Sequence, residues 1–227
     1  LKYRYYYYDW DRGHRYILNL RAGESYTRHY RSLSEAPEFY VPNDGKDPEA
    51  ANKRYHIRGN GVWTFQPDLT AAGLPKSAAA ISGAKAMPPS GVAPAVAGKP
   101  GQVLFKIDAA NVITSQEIQA KFRRGSAADE AAIAVSTTNG LHWTEVWKAE
   151  ATGEVAAEVK LTDEVNGAYE VLIRVTMLDR SDQTDRSDRS DRSDRPGLLL
   201  SSLAIQTTTM LNSKTQPKLN LGKNTIY

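Results

Sequence analysis

Residues Ser115 to Arg124 read SQEIQAKFRR. Ile118, Ala120 and Phe122 alternate with Glu117, Gln119 and Lys121. A period of two sends successive side chains to opposite faces of an extended chain, so this stretch predicts a half-buried strand. Runs of the same kind flank it: QVLFKIDA (102–109), AAIAVST (131–137), TEVWKAE (144–150), VAAEVKL (155–161), YEVLIRVTML (169–178), LLLSSLAIQTTTML (198–211) and NTIY (224–227). Turn residues separate these runs, and no long amphipathic helical pattern interrupts them. About eight short strands with this spacing predict an all-β fold over 101–227, an antiparallel β-sandwich.

Two other regions differ in composition. Residues 71–100 hold ten Ala, five Pro and four Gly with no acidic residue. Each proline removes a backbone donor and restricts the residue before it, so the stretch predicts an extended linker draped over the surface, or an arm paired to a sheet edge. Residues 1–70 carry ten of the twelve tyrosines and three of the four histidines. KYRYYYY (2–8), RYILNL (15–20), SYTRHYR (25–31), KRYHIR (53–58) and VWTF (62–65) read as short strands between turns. With few aliphatics, this Tyr-rich β segment is expected to shelter against the downstream sandwich or another part of a longer chain. Residues 179–195, DRSDQTDRSDRSDRSDR, repeat Asp and Arg without an apolar residue and predict a solvated, flexible loop.

Composition narrows the function. The 227 residues are 41% hydrophobic and 24% charged, ordinary globular values. A net charge of +3 is too small for a nucleic-acid surface. Cysteine is absent, which excludes disulfides, thiolate metal sites and cysteine nucleophiles. No apolar run approaches bilayer length. The histidines lack zinc-ligand spacing, Asn43 to Glu49 lacks the spacing of an EF-hand loop, and nucleophile-elbow, phosphate-loop and dinucleotide motifs are missing, so neither cofactor nor metal is expected. The start at Leu1 and the strand-like end at Tyr227 read as those of a processed product or fragment.

The segment Ser136-Thr137-Thr138-Asn139-Gly140-Leu141-His142-Trp143 predicts a turn at Asn-Gly, where both positions tolerate positive φ. It resembles the Asp-box of sialidase-like secreted β proteins, keeping Ser136, Gly140 and Trp143 and departing at Thr138 and His142. With Leu161 to Val175 and the closing QPKLNLGKNTIY, the C-terminal half resembles jelly-roll, galactose-binding-like sandwiches of large secreted bacterial proteins. The resemblance implies an extracellular or cell-surface setting and a binding role. Gly13 to Arg31 and Arg58 to Leu69 are similar to stretches near transglutaminase-like domains, but without cysteine no catalytic residue carries over.

The expected function is therefore non-catalytic. One reading is a structural subunit of an extracellular fibre, a homo-oligomer or a part of a larger chain, with Tyr5, Tyr6, Tyr7 and Tyr8 as assembly contacts. The alternative is a carbohydrate-binding module of a polysaccharide-active protein, with Asp9, Trp10, Asp11 and Trp63 as candidate sugar contacts. The sequence ranks assembly slightly ahead, with an enzyme acting on polysaccharide third.

Overall fold

The computed structural model describes residues 20–29, 38–42, 52–56, 60–109, 111–180 and 196–210. Its strands, in chain order, are β1 (Glu24–His29), β2 (Glu38–Pro42), β3 (Asn52–His56), β4 (Asn60–Phe65), β5 (Ala80–Ser82), β6 (Ala84–Ala86), β7 (Val92–Pro94), β8 (Pro100–Asp108), β9 (Ile113–Arg124), β10 (Glu130–Ser136), β11 (Thr144–Lys148), β12 (Gly153–Leu161), β13 (Glu170–Leu178) and β14 (Leu198–Met210). A single helical turn, α1 (Leu74–Ser77), precedes β5.

The strands form two main antiparallel sheets. In the seven-stranded sheet, β14 pairs along one edge with β9, which pairs in turn with β12; its other edge carries β4 and then β1, and also β7 and then β6. The five-stranded sheet has the order β11-β10-β13-β8-β5. Strands β2 and β3 pair with each other. The protein is thus an antiparallel β-sandwich, the fold class the sequence predicts. No helix among the described residues is long and apolar enough to cross a membrane.

Alternation creates the core. Ile118, Ala120 and Phe122 on β9, Leu203 and Ile205 on β14, and Phe65 on β4 face inward from the larger sheet. Val103, Phe105 and Ile107 on β8, Ile133 and Val135 on β10, and Ile173, Val175 and Met177 on β13 answer from the smaller. Phe65 meets Phe105 edge-on at 6.4 Å, and Phe122 stacks on Trp147 at 5.1 Å. Each fully buried aliphatic or aromatic side chain here contributes about 1.5–3 kcal/mol relative to exposure.

The stretch expected as a surface linker is extended, but it is woven into the sandwich. β5 pairs with β8 in one sheet, whereas β6 and β7 belong to the other. Pro75 sits at the start of α1, where its missing N–H costs nothing, and Pro94 ends the short strand β7. The chain changes sheets at Gly83, whose φ of +60° and closeness to the Pro100 carbonyl, 2.5 Å from a built Cβ, leave room for glycine alone. The Tyr-rich segment joins the same sheet through β1, β4 and β14, with Trp63 opposite both Tyr26 and Thr207. β2 has no counterpart among the strands read from the sequence, which assigned none to 38–42.

Buried polar groups fasten the ends. Arg124, 6% exposed at the end of β9, donates to the carbonyls of Ala127 (2.6 Å), Asp129 (2.7 Å), Glu150 (2.7 Å) and Ala151 (2.9 Å), joining the turn after β9 to the turn before β12. Asp129 accepts from the backbone of Ser126 and Arg180, so the first residues of the Asp/Arg repeat are anchored; residues 181–195 lie outside the described residues. At the opposite edge the Arg21 guanidinium bonds Glu24 and the Lys106 carbonyl and lies 4.3 Å over Phe65, tying β1 to β8.

Replacing Arg124 by Met leaves four carbonyls without their donor, each loss worth about 1–3 kcal/mol where water cannot substitute. Urea unfolding of Arg124→Met is expected to show a loss of about 3 kcal/mol or more; a loss within about 0.5 kcal/mol, the usual range for a surface change, contradicts the clamp.

Candidate functional site: a groove across the five-stranded sheet

The outer face of the five-stranded sheet is hollowed. In register across it, Gln102 on β8, Thr176 on β13, Ala132 on β10 and Lys148 on β11 form one row. Leu104, Arg174, Ala134 and Glu145 form the next. The small side chains of Ala132, Ala134 and Thr176 make a floor, and the walls come from Trp143, Arg174, Glu145 and Lys148 on one side and Pro100, Leu178 and Glu130 on the other. The hollow measures about 380 Å³, within the range of small-molecule sites. Ala134 and Leu172 face outward yet are each 7% exposed, as expected where a loop overhangs the sheet.

That loop is the segment 137–143. Ser136 Oγ accepts from the backbone of Thr138 (3.2 Å) and Gly140 (3.0 Å), and Thr138 Oγ1 accepts from the His142 backbone at 2.9 Å. Asn139 and Gly140 take φ of +53° and +84°, the turn that the Asn-Gly pair predicts. A Cβ built on Gly140 would touch Trp143 at 3.6 Å and Leu172 at 3.8 Å, so the folded-back turn supports the indole. The Arg174 guanidinium lies 4.2 Å from the centre of the Trp143 ring. This cation–π contact fixes the plane of both groups at the groove wall.

Of the charged side chains lining the groove, Glu130 is in an ion pair and Glu145 and Lys148 are in none among the described residues. Glu130 is held by Arg180 at 2.7 Å. At the far end of the same face, Lys106 Nζ lies 2.7 Å from Glu170 and 3.0 Å from Asp108, and hydrogen bonds to Glu170 and then Asp108 raise its pKa above the ordinary lysine value. Arg174 differs from the other charged side chains of the groove in being partly buried: its Nε is shut off from solvent with no hydrogen-bond partner among the described residues.

A second hollow, about 420 Å³, lies on the seven-stranded sheet, lined by Gln66, Ser90, Gln119, Lys121, Glu158 and Ser202 among others. It has no aromatic wall. Among the described residues no group of three or more His, Asp or Glu side chains gathers as metal ligands.

Of the residues singled out in the sequence, Asp9, Trp10, Asp11 and Tyr5 to Tyr8 lie outside the described residues. Trp63 does not fit the role expected of it. It points inward from β4, is 4% exposed and packs on Tyr26 at 5.5 Å, so it offers no surface to a sugar. β alternation decides this: Trp63 shares the parity of Phe65, a core residue. The sequence reading noticed Trp143 as part of a turn and passed over Arg174, a charged residue outward on a strand that showed no motif.

No protein-family model matches the chain, and no curated protein matches it. Among solved structures it is similar to a family 29 carbohydrate-binding module (12% identity over 64% of this chain and 91% of that one, TM-score 0.40). It is also similar to the C-terminal family 6 module of a marine laminarinase from Zobellia galactanivorans (8% identity, 63% and 98%, TM-score 0.38) and a family 35 carbohydrate-binding module from Clostridium thermocellum (14% identity, 63% and 96%, TM-score 0.36). At such identities the likeness is one of architecture alone.

Because Gly140 occupies a left-handed conformation but has ordinary van der Waals room, Gly140→Ala is expected to cost about 1–2 kcal/mol through backbone strain alone. Asn139→Gly should be close to neutral. Urea midpoints measure both, and a neutral Gly140→Ala contradicts the turn.

Proposed function

We propose that the protein is a non-catalytic carbohydrate-binding module whose site is the groove over β10, β13 and β8. The observation carrying this reading is the combination of a small-residue floor with an indole wall and a ring of donors and acceptors: Gln102, Thr176, Glu145, Lys148 and Arg174. A pyranose has apolar C–H faces and a polar rim of hydroxyls. Such a floor accepts the first, and such side chains hydrogen-bond the second.

Binding without hydrolysis is favoured by the carboxylates. The two carboxylates lining the groove, Glu130 and Glu145, stand four residues apart in register on neighbouring strands rather than opposite each other. Glu130 is also occupied by Arg180. The fibre reading rested on Tyr5 to Tyr8 and the chain ends, which lie outside the described residues, and on the extended linker, whose strands β5, β6 and β7 pair within this chain's own sheets; nothing among the described residues favours it over binding. An extracellular setting follows from the polysaccharide ligand.

Affinity electrophoresis in gels containing neutral and acidic plant or algal polysaccharides tests the reading. At least one polymer should retard the chain, and Ala132→Phe, which fills the floor, should abolish retardation while leaving the melting temperature within a few degrees. Trp143→Ala should weaken binding at least about tenfold, the loss typical of an aromatic anchor. Retardation by no polymer, or retardation untouched by Ala132→Phe, overturns the assignment.

A further inference from the structure

Arg174 sits in the groove in a state that needs completing. A guanidinium carries five donors in a rigid planar fork and no acceptor. Here its Nε is shut off from solvent and bonded to nothing among the described residues, while the ring of Trp143 lies 4.2 Å beneath it. An indole face compensates part of the charge but accepts no in-plane hydrogen bond. The neighbours across the sheet, Ala134 and Leu104, have no side-chain acceptor, and the flanking residues on its own strand and face are Leu172 and Thr176. The carboxylates on this face are engaged elsewhere, Glu130 with Arg180 and Asp108 and Glu170 with Lys106. Only Glu145, beyond Ala134 and without an ion pair among the described residues, remains. Lys148, in the adjoining row, likewise has no ion pair among the described residues and adds a second positive charge to the wall.

A desolvated donor without an acceptor is costly, and the terminal Nη groups of Arg174, which unlike Nε are not shut off from solvent, form a planar edge at the groove wall that matches a planar or trigonal anion bidentately. We infer that the groove selects a glycan bearing an anionic substituent, and that Arg174 is the residue that binds that anion, with Lys148 in support. This rests on the carbohydrate-binding reading and narrows it from sugars in general to acidic polysaccharides. The substituent is a uronate carboxylate or a sulfate ester, which share the chemistry that the fork recognises. Trp143 has a positioning role here: it holds the guanidinium plane at the wall.

Isothermal titration of the whole chain with four polymers tests this: polygalacturonate, its fully methyl-esterified form, a sulfated galactan and the same galactan desulfated. Binding to polygalacturonate that vanishes on esterification assigns the carboxylate, and binding to the galactan that vanishes on desulfation assigns the sulfate; either supports the inference. In Arg174→Gln the charged-polymer affinity should fall at least about tenfold, the loss of a charge-assisted bond. Lys160→Gln removes the same charge from the outer face of β12, a residue whose side chain is 83% exposed, and should change affinity less than twofold.

Equal affinity for charged and neutralised polymers, or binding confined to the neutral ones, overturns the inference while leaving carbohydrate binding in place. Equal losses in Arg174→Gln and Lys160→Gln also overturn it, since they indicate diffuse attraction to a basic protein. Binding of none of the four overturns the inference, and retardation by no polymer in the affinity gels overturns carbohydrate binding with it. Should Arg174→Gln fail to fold, the esterified and desulfated polymers decide on the unaltered chain.

Discussion

Strands β9 and β14 lie antiparallel with Ile118 opposite Ile205, Ala120 opposite Leu203 and Gln116 opposite Thr207. One residue of slip in that pairing would turn the apolar side chains of the slipped strand from the core to solvent. The pairing is therefore the constraint under which the rest assembles: β12 extends it on one side, β4 with β1 and β7 with β6 on the other, and the inner row it creates receives β8, β10 and β13. A bulge at Ser201, whose hydroxyl donates to the Lys121 carbonyl, takes up a residue so that the alternation resumes in phase.

Three arginines in the sandwich show what a guanidinium does under different supplies of acceptors. Arg124 has four carbonyls and becomes a buried fastener. Arg21 has a carboxylate and a carbonyl and closes the edge between β1 and β8. Arg174 has a ring and no hydrogen-bond acceptor among the described residues. The contrast separates groups that serve the fold from one that faces a groove with its bonding capacity unused.

Legibility followed the same division. The strands from 102 to 211 could be read because burial on one face imposes a period of two, and the bounds of β8, β9, β10 and β13 fall within two residues of that reading. The Asn139–Gly140 turn was readable because two consecutive positive φ values demand those residue types. β5, β6 and β7 were not, since three-residue pairings are too short for a period and their prolines argue for a connector. Trp63 misled because an aromatic residue on a short strand carries no mark of which face is inside until its neighbours are placed.

The sequence by itself determined that the chain is an all-β sandwich, where most of its strands lie, and that standard catalytic and metal motifs are missing, because these are consequences of local periodicity and residue chemistry. Tertiary structure alone decided that Ala132, Ala134 and Thr176 form a floor, and that Trp143 meets Arg174, 31 positions along the chain. Both sites of contact depend on which strands pair and in what register, and that is set by the packing of the whole sandwich rather than by the residues of the groove.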